Sequence, residues 1–281
     1  MNIAILLATY NRREKTITCL ESVYNQQLPE NTNLSVFLTD DNSSDGTAQA
    51  VLKAFPSVKL FSGSGSLFWA GGMRNSWTEA RKTDPDYYLL LNDDTLLKKD
   101  AIQKLLQYYT DNGTSPNALA IGSTMDEDSR EISYGGRKLY HQAKVQSYST
   151  YSDTDYTECD LANANIMLVP REIVNKIGIL SEKYTHSIAD FDYTLTAKKA
   201  GFKAVVMPGV LGNCTDDHGN NWKSSSSTLK ERISYLKSPK GLAYKEYMQF
   251  IKTHFPGHVP EAFIKLWAKT LFPVLWDKFK K

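Results

Sequence analysis

Three times in the first hundred residues a short apolar run breaks off into a polar or acidic cluster. Residues 3–8 lead into Thr9-Tyr10-Asn11-Arg12, residues 36–38 into the turn that begins Asp40-Asp41, and Tyr87–Leu91 into Asn92-Asp93-Asp94. Apolar residues between these runs recur at helical spacing: Ile17, Leu20, Val23 and Tyr24, then Ala48, Val51, Leu52 and Phe55 behind a cap at Ser44 or Asp45. Residues 58–61 predict a further strand and 70–82 a further helix. A β-α-β-α order of this kind predicts a parallel sheet with helices on both faces, an α/β fold. Ligands of open parallel sheets bind outside the carboxyl ends of the strands, where the three clusters fall.

The second half is less regular. Strands are predicted over 119–122, 131–134, 160–169 and 203–207, with a polar, tyrosine- and serine-rich excursion near 140–157. A helix over 190–200 is closed by Gly201. Residues 224–227 are predicted to form a flexible loop, and 229–281 a helical, lysine-containing tail. The net charge of +2 offers no basic field for duplex nucleic acid, so nucleic acid is not an expected partner. Cys19, Cys159 and Cys214 are three in number and far apart, which suggests neither a zinc knuckle nor a disulfide framework and fits a reducing compartment. No targeting leader and no uncharged apolar run near the roughly 18 residues of a membrane span is visible, so a cytoplasmic protein is expected.

ATYNR at 8–12, LTDDNSSDGT at 38–47, LFWAGGMRN at 67–75, LLLNDDT at 89–95 and ADFDYTLTAKKAG at 189–201 together resemble the family 2 glycosyltransferases. The resemblance covers roughly residues 1–222. It implies a GT-A fold, a Rossmann-like and mostly parallel sheet, over residues 1–225. Residues 1–95 would form a nucleotide-binding half, 96–225 an acceptor-binding half and 226–281 a C-terminal helical region. The implied activity is inverting transfer of a sugar from a UDP- or dTDP-sugar to a glycan or lipid-linked acceptor, with Mn²⁺ or Mg²⁺. LFWAGGMRN with ADFDY looks most like bacterial enzymes of surface-polysaccharide synthesis, rhamnosyltransferases included.

Residue roles follow from the same match. Asn92-Asp93-Asp94 corresponds to the metal motif, with Asn92 where Asp is frequent. Asp94 is expected to ligate the cation, and Asp93 or Asn92 to reach the ribose or phosphates. A divalent cation on carboxylates neutralises a leaving diphosphate. Asp41 corresponds to the acceptor for a pyrimidine N3–H, which favours uracil or thymine over cytosine. Thr9, Tyr10, Asn11 and Arg12 are expected around the base and donor. Arg74, after the glycines at 71 and 72, can fork onto phosphate or sugar hydroxyls or lie on the surface. Trp69 can stack on the acceptor-side sugar or pack. Asp190 corresponds to the general base and Asp192 to a supporting acceptor-side position, with Ala189 replacing the family's first acidic residue. Both aspartates also suit a helix start. His218 corresponds to a loop histidine that supplies a further metal ligand in many relatives.

In the tail, Ile264, Trp267, Ala268, Leu271 and Leu275 keep helical spacing, widened by Phe263, Phe272, Trp276 and Phe279 and dotted with lysines; Pro273 should kink it. Such a helix can lie on the inner membrane face, or pack on its own domain or on a second copy. Two other functions remain. A nucleotidylyltransferase would carry a glycine-rich loop after the first strand, where this chain has TYNRREK. A non-catalytic nucleotide-sugar-binding module is suggested only by Ala189.

Overall fold

The structure is a computed structural model that describes residues 1–113, 117–215 and 227–273. Its amino-terminal part alternates β1 (Asn2–Thr9), α1 (Arg13–Tyr24), β2 (Asn33–Asp40), α2 (Thr47–Ala54), β3 (Lys59–Ser62), α3 (Phe68–Arg81) and β4 (Tyr87–Leu91). The four strands pair in parallel in the order β4-β1-β2-β3. Next come β5 (Leu96–Leu97), α4 (Ala101–Asp111), β6 (Ala118–Met125), β7 (Ile132–Tyr134), β8 (Gly136–Leu139), β9 (Ser147–Thr150), β10 (Thr157–Glu158) and β11 (Leu161–Ala162). Then follow β12 (Ile166–Pro170), α5 (Arg171–Ile177), α6 (Ala189–Lys199) and β13 (Lys203–Asn213). Antiparallel β12 joins β4 to β6, and β13 runs parallel to β6. One sheet therefore spans the boundary expected at residue 95.

The sheet is buried on both faces, which is why its strands read as continuous apolar runs. Ile3, Ile5 and Leu7 of β1 pack with Leu20 and Val23 of α1, while Ala4 and Leu6 pack with Met73 and Trp77 of α3. A β-carbon on Gly72 would come within 2.8 Å of the Ala8 β-carbon. That glycine lets α3 close onto β1, whereas a β-carbon on Gly71 would lie 3.0 Å from the Leu67 β-carbon.

Two predicted stretches differ. The apolar run 160–169 is two short strands, because Asn163-Ala164-Asn165 interrupts the ladder between β11 and β12. The polar excursion folds β8 and β9 with β11 into a second, three-stranded sheet; its alternation is too short and too polar to stand out in sequence.

The carboxy-terminal region forms α7 (Leu229–Lys237), α8 (Tyr244–His254) and α9 (Val259–Leu271). A reciprocal capping box starts α7, with Thr228 Oγ1 accepting from Glu231 N at 3.3 Å and Thr228 N donating to Glu231 Oε2 at 2.7 Å. These helices are not a separate appendage. Phe250, Ile251, Phe255 and Leu266 belong to the core cluster that holds Trp77 and Tyr184, and each such burial contributes roughly 1.5–3 kcal/mol. The face of α9 turned inward is Ala262, Leu266 and Thr270, whereas Ile264 of the predicted stripe is 63% exposed. Both sides of the helix carry apolar residues, and the smaller side fits against its neighbours. The helix stops at Leu271, two residues before Pro273. Leu275, Trp276 and Phe279 lie outside the described residues. No helix among the described residues is long and apolar enough to cross a membrane.

Candidate active site

At the carboxyl edge of β1, Thr9 is buried and its hydroxyl lies 2.8 Å from that of Thr16. Asn11 takes a left-handed backbone at φ 51°. Its side-chain carbonyl accepts from Ser44 N at 2.7 Å and its own N–H donates to Ser43 Oγ at 2.8 Å. Asn11 thus ties the loop after β1 to the loop after β2. Asp45 does the same from the other side, accepting from Arg13 N and Thr47 N, each at 3.0 Å. Tyr10 stays exposed, with the Lys240 ammonium 6.0 Å from its ring centre.

Asp41, after β2, is buried and accepts three backbone hydrogen bonds. Oδ1 receives Gly65 N at 2.7 Å; Oδ2 receives Leu67 N at 2.8 Å and Phe68 N at 3.0 Å. An ionised carboxylate has about four acceptor sites, so one on Oδ1 remains. A β-carbon on Gly63 would lie 2.5 Å from Asp41 Oδ1, so only glycine lets this loop wrap the carboxylate. Asp40 turns locally and accepts from Ser43 N at 3.0 Å.

After β4, Asn92 accepts from the Trp69 indole N–H at 2.8 Å. Trp69, expected against the acceptor sugar, thus braces the motif from the start of α3. An amide at 92 takes this bond without setting a third negative charge beside Asp93 and Asp94. The pattern places Arg12 by the base, but its guanidinium lies on these carboxylates, at 3.3 Å from Asp93 Oδ1 and 2.5 Å from Asp94 Oδ2. Asp93 is pushed up to about 6, by burial first and by Asp94 after it, against the pull of Arg12. Its Oδ2 is buried without a hydrogen-bond partner among the described residues. Asp94 Oδ1 faces the Cys214 thiol at 3.6 Å, and burial pushes that thiol up to about 12.

These oxygens suit a hard divalent cation. An orphaned carboxylate oxygen and a neighbouring carboxylate that meets an arginine and a thiol among the described residues would supply one or two ligands, and a diphosphate would supply others. No group of three or more metal-ligating side chains occurs among the described residues. His218, expected as a further ligand, lies outside them.

Asp190 begins α6. Oδ1 accepts from Phe191 N at 2.8 Å and Oδ2 from Ala164 N at 3.3 Å. Burial outweighs these bonds and pushes the carboxyl up to about 6. The next residue, Asn165, accepts from Asn92 N at 3.3 Å through its carbonyl, and its amide donates to Cys214 Sγ at 3.5 Å. Adjacent residues therefore hold the Asp190 carboxylate on one side and the Asn92-Asp93-Asp94 turn on the other. The places of Asn165 and Cys214 at this edge are not legible in sequence; for Asn165 the polar break in the 160–169 run is the signal.

Arg74 and Asp192 are not at this edge. Arg74 is half-buried and donates from one nitrogen to the carbonyls of Ser181 at 2.9 Å and Tyr184 at 2.7 Å. It fastens α3 to the approach to α6 where phosphate or sugar contact was expected. Asp192 is buried and accepts from Tyr184 Oη at 3.0 Å and from His254 Nε2 at 2.7 Å. Helix geometry explains this, because residues two apart point about 200° from each other.

A parallel β4-β1-β2-β3 edge, with antiparallel β12 extending the sheet and an aspartate pair after β4, has a glycosyltransferase architecture of the GT-A type. The sequence profile of glycosyl transferase family 2 matches residues 4–178, and the chain belongs to that family. Among solved structures, the mannosyltransferase PcManGT from Pyrobaculum calidifontis, in complex with GDP-Man and Mn²⁺, is similar at TM-score 0.58 and 14% identity, covering 98% of this chain and 71% of that one. S. aureus TarS 1–349 in complex with UDP is similar at TM-score 0.57 and 16% identity, covering 91% and 72%. The same TarS fragment with UDP-GlcNAc gives TM-score 0.55 and 16% identity over 91% and 73%. At these identities the likeness is one of fold. No curated protein sequence matches the chain.

Proposed function

We propose that this protein transfers one sugar, with inversion, from a UDP- or dTDP-sugar to a hydroxyl of a glycan or lipid-linked glycan in surface-polysaccharide synthesis. The observation that supports this reading is the Ala164-Asn165 link, in which Ala164 N donates to the Asp190 carboxylate and the Asn165 carbonyl accepts from Asn92 N, so that one short stretch of chain borders both the proposed base and the turn that carries the aspartate pair. Asp190 accepts the acceptor hydroxyl's proton as its oxygen bonds the anomeric carbon, and the bond from that carbon to the diphosphate oxygen breaks on the opposite face. Asp94, with Asp93 beside it, would hold a divalent cation, which when bound would supply Lewis-acid neutralisation of the departing diphosphate. Arg12, within 3.3 Å of both carboxylates, adds positive charge there. PcManGT with GDP-Man and Mn²⁺, and TarS with UDP-GlcNAc, support a nucleotide-sugar donor and a metal.

The remaining acceptor site on Asp41 Oδ1 takes the N3–H of uracil or thymine. A screen of UDP-, dTDP-, GDP- and CDP-sugars with Mn²⁺, scored by nucleotide release, is expected to select uridine or thymidine donors. In calorimetry, UDP should bind at least about 10-fold more tightly than CDP, the worth of one charge-assisted hydrogen bond. Equal affinities, unaffected by Asp41→Asn, would remove Asp41 from base recognition. Nucleotide release also separates a working transferase from a binding module.

The outer face of α9 supports a site of action at the cytoplasmic side of a membrane. Phe263, Ile264, Leu271 and Phe272 are 47%, 63%, 42% and 58% exposed, on a helix that also carries Lys265 and Lys269. Buried thiols fit a reducing compartment. Co-sedimentation with phosphatidylglycerol vesicles is expected at low salt, weaker at high salt, and lost in Phe263→Glu/Ile264→Glu. A protein that ignores the vesicles but dimerises through the same two residues would assign the face to a second copy.

A further inference from the structure

The turn into α6 is held in an unfavourable backbone. Ile188, the residue before the helix, has φ 73°. A β-branched side chain in the left-handed region is a marked outlier, costing on the order of 1–3 kcal/mol unless its surroundings impose it. The constraint comes from α8. Glu246 accepts from Thr185 N at 3.0 Å and from Thr185 Oγ1 at 2.6 Å, fixing the strand of chain that leads to Ile188. His254, at the other end of α8, meets Asp192 Oδ1 at 2.7 Å in the first turn of α6.

We propose that His254 is a positioning residue for sugar transfer: by holding Asp192 inward, it sets the rotation of α6 that presents Asp190 to the acceptor. The inference rests on Asp190 as the base. Asp190 and Asp192 point about 200° apart on the helix, so a fixed Asp192 aims Asp190 outward toward Ala164. Tyr184 Oη shares the same oxygen at 3.0 Å and is fully buried. A carboxylate only accepts, so His254 donates from Nε2. The imidazole is 1% exposed, between the rings of Phe250 and Phe255 at 5.1 and 6.4 Å, and its Nδ1 has no hydrogen-bond partner among the described residues. This histidine therefore has one polar function, the bond to Asp192. It lies 62 residues from Asp192 and ties the carboxy-terminal helices to the reacting edge.

The test compares His254→Ala, His254→Gln, Tyr184→Phe and Asp190→Asn in the full chain. Binding of UDP is read by calorimetry, and turnover by nucleotide release from UDP-glucose, UDP-GlcNAc and dTDP-rhamnose. His254→Ala should lower kcat about 10- to 100-fold with UDP affinity within twofold of the parent. His254→Gln, whose amide can still donate to Asp192, should recover most of kcat. Tyr184→Phe, which keeps the ring, should lower kcat a few-fold, and it decides the matter with His254→Gln if the alanine variant does not fold. Amide exchange at Phe191, bonded to Asp190, should quicken about 10-fold in His254→Ala, a readout independent of the donor chosen. Unchanged kcat and unchanged exchange at Phe191 in a folded His254→Ala protein would overturn the inference while leaving the base role of Asp190 intact. An active Asp190→Asn protein would remove both.

Discussion

Replacing Asp190 with asparagine is expected to stop transfer and stabilise the fold together. A general base contributes roughly 100- to 10,000-fold, so kcat should fall at least about 100-fold while UDP still binds. The parent enzyme needs the ionised carboxylate. With its proton affinity raised to about 6, kcat should climb as pH rises through about 6 and then level off, and the asparagine variant should show no such limb. Stability moves the other way. Burial favours the protonated carboxyl, so the folded value lies above that of the unfolded chain, and ionisation costs stability as pH rises from about 4 to about 6 and fully above it. Asparagine removes that charge but keeps a carbonyl to accept only one of the bonds from Phe191 and Ala164. The net gain at pH 7 is therefore on the order of 1–2 kcal/mol, a few degrees in melting temperature. A variant that melts lower and turns over normally would end the base assignment.

The strand-end clusters were legible because strand, helix and turn chemistry agree over residues 1–95. Runs such as 3–8 are apolar on both faces, and nothing but a sheet covered on both sides buries them. The loops were readable in identity but not in direction. Asn11, Arg12 and Trp69 join the site's loops and Arg74 and Asp192 brace the elements behind it, yet each has a deciding partner between 23 and 110 residues away. No local rule says whether an arginine or an indole meets a ligand or a neighbouring loop. His254 was passed over for the same reason. In sequence it is one histidine at the end of an amphipathic helix, and only packing brings it to Asp192. The tail misled in a third way: α9 is apolar on two sides, so periodicity found a stripe without showing which side the core takes.

That packing bears on deletion. Cutting the chain near Pro260 removes Ala262 and Leu266 from the main core cluster and uncovers the outer side of α8. Because α8 holds Thr185 and Asp192, truncation would disturb the start of α6 and not only the exposed face of α9. Point changes on the exposed face of α9 are the cleaner probe of surface binding.

Asp94→Ala should separate metal-dependent chemistry from folding. Among the described residues Asp94 meets the Arg12 guanidinium and the Cys214 thiol. The Arg12 side chain is 41% exposed, so the pair contributes at most about 1 kcal/mol to stability, and the melting temperature should shift by no more than a few degrees. Turnover should fall at least about 100-fold, the loss of a few kcal/mol of charge stabilisation as the diphosphate leaves. EDTA should do the same to the parent protein, with Mn²⁺ restoring activity. Asp93→Asn makes the contrast. Its carboxyl is buried and favours its proton to about 6, so removing the charge should raise stability at pH 7 while still weakening Mn²⁺ binding, measured calorimetrically in the presence of UDP. Asn92→Asp should tighten that binding and lower the melting temperature, because it sets a third charge beside two while Trp69 keeps its acceptor. Full turnover after metal is stripped into EDTA, or unchanged Mn²⁺ affinity in Asp94→Ala, would show that these carboxylates serve Arg12 and the fold and hold no cation.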